Sequence, residues 1–274
     1  MKLRLSSKYL LGAVLGLALA AGANAQLNLL VNGGFEIPPT APGPTPLSGP
    51  VQINESFVTG WHTTATDSLI ELWESGYTRT DGGVSRTYNT STGAGLQDGG
   101  SQFAELNATQ ESALFQDVTF STVGLVDYFF LHRGRLGSGA GQMDSLRLTI
   151  LYLGVNGVSN STFNNATGAY TLGGDDAIAF TTVSNADYAG GWVTNFGDNV
   201  FSSVAGGTYR FAYGAVSAFS GSGGDGLTFG NFIDNAAFGF DLAAVPEPST
   251  YGLIGAAALL GLVAVRRIRS KSAV

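Results

Sequence analysis

Thr208-Tyr209-Arg210-Phe211-Ala212-Tyr213 sets an aromatic ring at every second residue. Side chains alternate between the two faces of a strand, so this spacing gathers Tyr209, Phe211 and Tyr213 on one side of a sheet. Leu146-Arg147-Leu148-Thr149-Ile150 repeats the alternation of apolar and polar residues. Outward from these two segments, runs rich in Val, Ile, Phe, Tyr and Thr recur at 29–32, 56–61, 69–73, 102–106, 113–120, 126–132, 177–183, 191–196 and 232–240. Clusters of Gly, Asn, Asp and Ser separate them, and no long stretch of helical period intervenes. About ten strands spaced in this way predict an all-β domain, a two-sheet sandwich or jelly roll.

Six of the eight prolines fall between Pro38 and Pro50. That stretch reads as an extended, polyproline-like surface loop inside the sandwich, because too little chain precedes it to form a separate domain. A second flexible loop is expected at 221–226, where glycine dominates. No internal repeat stands out.

Both ends of the chain differ from this middle. Lys2, Arg4 and Lys8 precede an apolar run from Leu10 to Ala21, and Ala23-Asn24-Ala25 has the small-x-small form of a cleavage site. This order predicts a secretory signal peptide cut after Ala25. At the other end, Val245-Pro246-Glu247-Pro248-Ser249 leads into an apolar run from Tyr251 to Val265 and then Arg266-Arg267-Ile268-Arg269-Ser270-Lys271. The prolines hold the spacer extended. The apolar run approaches the length that spans a hydrocarbon core of roughly 30 Å, and the basic cluster is expected to stay cytoplasmic. Hydropathy alone is equally consistent with an ordinary tail anchor. The ordered set, a Pro-Glu-Pro motif, an apolar span and an Arg-rich terminus, resembles the PEP-CTERM sorting signal of Gram-negative bacteria. That resemblance implies exosortase as a processing partner acting near Pro246, Glu247 and Pro248, and membrane anchoring through the C-terminal helix before processing. The expected organisation is a signal peptide at 1–25, a β-sandwich at 26–244 and a sorting signal at 245–271, with the motif at 245–249, a transmembrane helix at 250–265 and a basic tail at 266–271.

Outside the signal peptide and the basic tail, residues 26–265 hold six arginines against all 20 acidic residues, a formal charge of −14. A surface this acidic repels nucleic acid and keeps the protein dispersed, which argues against a DNA or RNA partner. The chain has no cysteine, which excludes thiol catalysis and disulfides, and only two histidines, His62 and His132. A three-histidine metal site is therefore impossible within one chain. The surplus of carboxylates favours an oxygen-loving cation, Ca²⁺ above all.

Leu30-Val31-Asn32-Gly33-Gly34-Phe35-Glu36 opens the middle and Phe232-Ile233-Asp234-Asn235-Ala236 closes it. The pairing resembles the carbohydrate-binding, galactose-binding-like jelly rolls, in which two such segments lie side by side. The resemblance implies Glu36 and Asp234 as ligands of a structural Ca²⁺. The alternative is a plain turn with solvated carboxylates. Gly60-Trp61, Ile70-Glu71-Leu72-Trp73, the stretch 98–107, Leu114-Phe115-Gln116-Asp117-Val118 and His132-Arg133-Gly134-Arg135 continue the similarity to lectin-like domains of secreted proteins.

Sugar recognition needs flat aromatic faces and planar hydrogen-bonding groups. Glu71, Trp73, Glu105, Asn107, His132, Arg133 and Arg135 supply those types and are the expected ligand-binding residues. Strand parity separates Glu71 and Trp73 from Leu72, groups Glu105 with Phe103, and groups His132 with Tyr128 and Phe130. The structural alternative keeps Trp73 in the core, with His132 and the arginines satisfying buried Glu71 and Glu105. Trp61 and Trp192 read as core. Glycosidases need two carboxyls roughly 5–10 Å apart across a cleft. Glu71 and Glu105 on neighbouring strands are the one pair that fits, and nothing in the pattern demands that chemistry. The expected function is non-catalytic binding of an exopolysaccharide or other glycan at the cell envelope, outer surface or matrix. A passive acidic coat protein and, third, a glycan hydrolase are the alternatives.

Overall fold

The structure is a computed structural model that describes residues 27–36, 49–81, 83–90, 100–107, 109–138, 141–164, 167–219, 230–240 and 242. The signal peptide with Ala25, the sorting motif at Pro246, Glu247 and Pro248, the C-terminal apolar run, most of the proline-rich loop and the glycine loop at 221–226 lie outside these residues. Among the described residues no helix is long and apolar enough to cross a membrane.

The described residues form sixteen strands: β1 (Leu27–Asn28), β2 (Val51–Asn54), β3 (His62–Thr63), β4 (Leu69–Glu74), β5 (Tyr77–Asp81), β6 (Val84–Tyr88), β7 (Gln102–Glu105), β8 (Ala113–Thr119), β9 (Leu125–Arg133), β10 (Asp144–Tyr152), β11 (Thr162–Asn164), β12 (Ala169–Thr171), β13 (Ala177–Ala186), β14 (Val193–Ser202), β15 (Thr208–Ser217) and β16 (Phe232–Phe240). One sheet runs β14-β9-β16-β7-β4-β2, with β1 on the far end of β16. The second runs β13-β10-β15-β8-β3, and two hairpins, β5-β6 and β11-β12, stand apart. All pairings within the two main sheets are antiparallel. From β7 to β10 and again from β13 to β16 the chain passes back and forth between the sheets, which makes this an all-β sandwich of jelly-roll connectivity.

The alternating strands behave as their spacing predicts. Tyr209, Phe211 and Tyr213 face the interior with Leu146, Leu148 and Ile150, and the facing sheet adds Tyr128, Phe130, Ile233 and Phe238. Trp61 stacks on Phe35 at 4.8 Å and donates its indole N–H to Asn32 O at 2.8 Å. Large aromatic side chains buried like this each contribute about 1.5–3 kcal/mol of transfer free energy.

Two expected strands are turns instead. At 29–32 the Asn28 side chain accepts the Leu30 amide, and the backbone then turns through Asn32 at φ 55° and Phe35 at φ 59°. At 56–61 Asn54 caps a single 3-10 turn, Glu55–Phe57, by accepting the Ser56 amide. In both places a local Asx contact competes with the strand ladder. The hairpins β5-β6 and β11-β12 carry no sustained apolar period and escape sequence reading, as does β2, whose Val51-Gln52-Ile53-Asn54 alternates but is only four residues long.

The N-terminal segment and β16 lie side by side, as the terminal motifs imply. Ala236 donates its amide to Gly33 O at 2.9 Å, and a Cβ on Gly33 would overlap the Ala236 carbonyl. Only glycine fits that approach.

Candidate ligand-binding faces

The β7–β4 ladder pairs Glu105 with Glu71 and Phe103 with Trp73. Strand parity sends all four side chains to the outer face of their sheet, away from the main core, as the sequence predicts. That face is not open. The β5-β6 hairpin folds back over it, and Trp73, Tyr88, Phe103 and Phe232 form a second core, with Tyr77, Tyr188 and Trp192 packed against it. Tyr88 and Phe232 meet the Trp73 ring edge-on at 5.0 and 5.1 Å, and Phe103 lies roughly parallel to it at 6.2 Å. Trp73 is 0% exposed. As placed, the indole is a packing element, the structural alternative of the two that its sequence context allows.

A charge network runs through this second core. Arg135 enters from the turn after β9, its guanidinium 5.0 Å from the Trp73 ring and its Nη1 2.8 Å from Glu105 Oε1. Gly230 N also donates to Oε1, at 2.6 Å, and Trp73 Nε1 donates to Oε2 at 2.9 Å. Arg135 Nη2 reaches Asp81 Oδ1 at 3.4 Å. Burial pushes the Glu105 carboxyl upward from its ordinary value; Arg135 pulls against that rise and the Glu71 charge adds to it. Glu71 is itself buried and accepts from Gln52 Nε2 at 3.2 Å.

The remaining expected ligand residues disperse. His132 points into the sandwich, where Ser184 lies 2.9 Å from Nδ1 and Asn231 Oδ1 lies 3.0 Å from Nε2. Asn231 Nδ2 donates to Ser217 O, which orients its Oδ1 toward the imidazole. The ring is therefore the neutral tautomer with its proton on Nε2. Burial pulls its pKa down to about 4, and the Asn231 bond opposes that shift. His132 thus pairs with no carboxylate. Arg133 is half-buried, with its guanidinium 4.6 Å from the Tyr188 ring and long bonds to Asn89 O and Tyr188 O. Asn107 is buried in the turn that follows β7.

The two carboxylates expected to hold calcium each accept backbone amides. Glu36 Oε1 accepts the amides of Ser101 and Gln102 at 2.8 and 2.7 Å, and its Oε2 accepts Ser101 Oγ at 3.0 Å. Asp234, fully buried in β16, accepts the Asn235 amide at 2.7 Å. Among the described residues no group of three or more His, Asp or Glu side chains converges on a point. A calcium ion takes six to eight oxygens, so any ion here would draw mostly on backbone carbonyls.

The outer face of the other sheet is different in kind. Arg147 and Thr149 on β10, Thr181 and Val183 on β13 and Arg210 on β15 alternate with core residues and face outward. The β11-β12 hairpin crosses this face. Phe163 packs where a side chain on Gly214 would stand, and Arg147 Nη1 donates to Thr167 O and Gly168 O, each at 3.2 Å. Between hairpin and sheet lies a cavity of about 330 Å³ lined by Arg147, Thr149, Tyr170, Thr181, Ile178 and Val183, among others. Beside it, Arg210 holds Asp117 through two bonds of 2.8 Å, and its guanidinium lies 3.9 Å from the Phe115 ring. Burial raises the Tyr170 hydroxyl to about 12, with Arg210 pulling the other way. The alternation in 146–150 already marks Arg147 and Thr149 as outward-facing. Tyr170 rides on a strand of three residues, too short to read.

Residues 244–269 match the family described as the PEP-CTERM protein-sorting motif, so the chain carries that motif at its C-terminal end. No curated protein matches the chain. Solved structures similar to this chain include carbohydrate-binding modules. TmCBM61 in complex with β-1,4-galactotriose is 12% identical, covering 78% of this chain and 98% of that one, with a TM-score of 0.33. The C-terminal family 22 module of Clostridium thermocellum Xyn10B is 12% identical over 72% of this chain and 95% of its own, TM-score 0.34. The CBM22-1 xylan-binding domain of Paenibacillus barcinonensis Xyn10C is 12% identical over 81% and 100%, TM-score 0.36. Likeness at this level assigns no ligand, and the reading of this chain rests on its own residues and its sorting motif.

Proposed function

We propose that this is an exported protein, processed by exosortase and delivered to the cell envelope, outer surface or extracellular matrix, whose sandwich holds a polysaccharide without transforming it. The sorting motif supports the route. The observation that carries the binding role is the cavity under the β11-β12 hairpin, which offers ring-sized space, a tyrosine wall, threonine hydroxyls and a guanidinium on an outward face. A non-catalytic role agrees with the placement of Glu71 and Glu105. They stand opposite each other, as a glycosidase pair would, but their carboxyls sit inside a packed core rather than across a cleft.

Calcium belongs to the same reading as a structural ion at the domain ends. Glu36 ends the described N-terminal segment and Asp234 lies in β16, two segments joined by the bond from Ala236 N to Gly33 O. Before processing, the C-terminal apolar run anchors the protein in the membrane. The formal charge of −14 favours a second reading, a passive hydrated coat.

Electrophoresis of the full-length protein in detergent, through gels containing the host's exopolysaccharide, separates the two. Retardation is the expected result. A folded protein that migrates unretarded points to the coat. The route is tested by replacing Pro246-Glu247-Pro248 with alanines, which should leave an unprocessed, membrane-retained form; normal processing would reduce the tail to a generic anchor.

A further inference from the structure

Arg147 does more than a neutral polysaccharide requires. Its Nη1 is tied to the hairpin backbone, while Nε and Nη2 donate to nothing among the described residues. No described carboxylate pairs with it, whereas Arg79 and Arg135 pair with Asp81, Arg135 with Glu105 and Arg210 with Asp117; Arg86 and Arg133 also lack a carboxylate, but both guanidiniums lie against the Tyr188 ring. None of the residues lining the cavity is acidic. In a stretch of chain with 20 acidic residues against six arginines, a guanidinium left without a carboxylate at the wall of a cavity calls for an anion.

The geometry of the free side specifies which one. Nε–H and Nη2–H of a guanidinium are coplanar and parallel, a spacing that fits both oxygens of a carboxylate. We propose that the cavity between β10, β13 and the β11-β12 hairpin is a binding site for a carboxylate-bearing sugar, a uronic acid residue of an acidic polysaccharide. Arg147 clasps the carboxylate, the ring lies along Tyr170, and Thr149 contributes its hydroxyl. The hairpin contact through Nη1 holds the guanidinium in place, so little side-chain freedom remains to be lost on binding. The acidic remainder of the domain does not forbid this, because charges more than about 8 Å away are largely screened at physiological ionic strength. The assignment rests on the reading that this protein holds a glycan, and it names the class of that glycan.

The test uses full-length protein in detergent with polygalacturonate and neutral β-1,4-galactan as gel-borne probes. Polygalacturonate should retard the protein at least about tenfold more strongly than galactan. Free galacturonate should compete and free galactose should not, a comparison that needs no variant. Arg147→Gln should lose about tenfold or more of the polygalacturonate affinity with its circular dichroism unchanged, and Arg147→Lys should retain only part of it. Equal retardation by both polymers, with Arg147→Gln unaffected, overturns the assignment while leaving glycan binding intact. Equal retardation by a sulfated galactan overturns the carboxylate specificity. Retardation by neither probe nor by the host exopolysaccharide overturns the assignment together with the binding role.

Discussion

Arg135 and Glu105 meet at 2.8 Å with side chains only 3% and 1% exposed, so the ion pair sits inside the second core beneath the β5-β6 hairpin. Removing one partner of such a pair leaves a buried charge without compensation. Arg135→Met is expected to lower stability by about 3–5 kcal/mol. Adding Glu105→Gln should recover much of that loss, since the neutral amide no longer needs a cation. Urea midpoints of the wild type, the single and the double variant check this; a double variant no more stable than Arg135→Met would contradict it.

His132 makes stability depend on acid. Its folded-state pKa of about 4 lies below the ordinary histidine value, because burial disfavours the imidazolium. A depressed pKa contributes stability that is fully present above the unfolded value near 6.5 and is lost as pH falls through the folded value. The wild type should lose up to about 3 kcal/mol between pH 7 and pH 4 from this group alone. His132→Gln should show a shallower slope over the same window. Parallel pH profiles of the urea midpoint for the two proteins would count against the buried neutral tautomer.

Gly33→Ala tests the contact between the two ends of the domain. The added methyl would overlap the Ala236 carbonyl, where backbone faces backbone and neither can rotate away. The expected cost is about 1–3 kcal/mol or more, with earlier proteolytic release of the N-terminal segment. An unchanged melting temperature would mean that the segment docks differently.

Calcium is tested by chelation. With the ion bound at Glu36 and Asp234, excess chelator should lower the melting temperature by several degrees, and added Ca²⁺ should restore it. Asp234→Asn should abolish the response. A melting curve indifferent to chelator in the wild type would remove the ion from the account.

Much of the sandwich is legible along the chain, and the reason is local. Strand period 2 depends only on successive residues, so Leu146–Ile150 and Tyr209–Tyr213 announce both their strands and their inner faces, whereas β16 announces only its strand, because it is buried on both faces and its register shifts between Asp234 and Ala237. Turns governed by a side chain contacting its own backbone are harder to foresee. Asn28 and Asn54 each stand just before an expected strand and turn the chain there instead, and nothing in their neighbours' hydrophobicity signals it.

Sequence by itself determined the all-β class, the inward faces of the alternating strands at 146–150 and 208–213, the juxtaposition of the N-terminal Asn-Gly-Gly-Phe-Glu segment with β16, and the sorting signal read at 245–271 and matched at 244–269. Tertiary structure alone decided what covers each outer face. Parity places Trp73, Glu71 and Glu105 on one side of their sheet, but parity says nothing about a polar hairpin, β5-β6, folding back to bury that side. It likewise marks Arg147 and Thr149 as outward without revealing that β11-β12 roofs them into a cavity. Burial is a property of contacts between segments far apart in the chain, and no period within one strand can encode it.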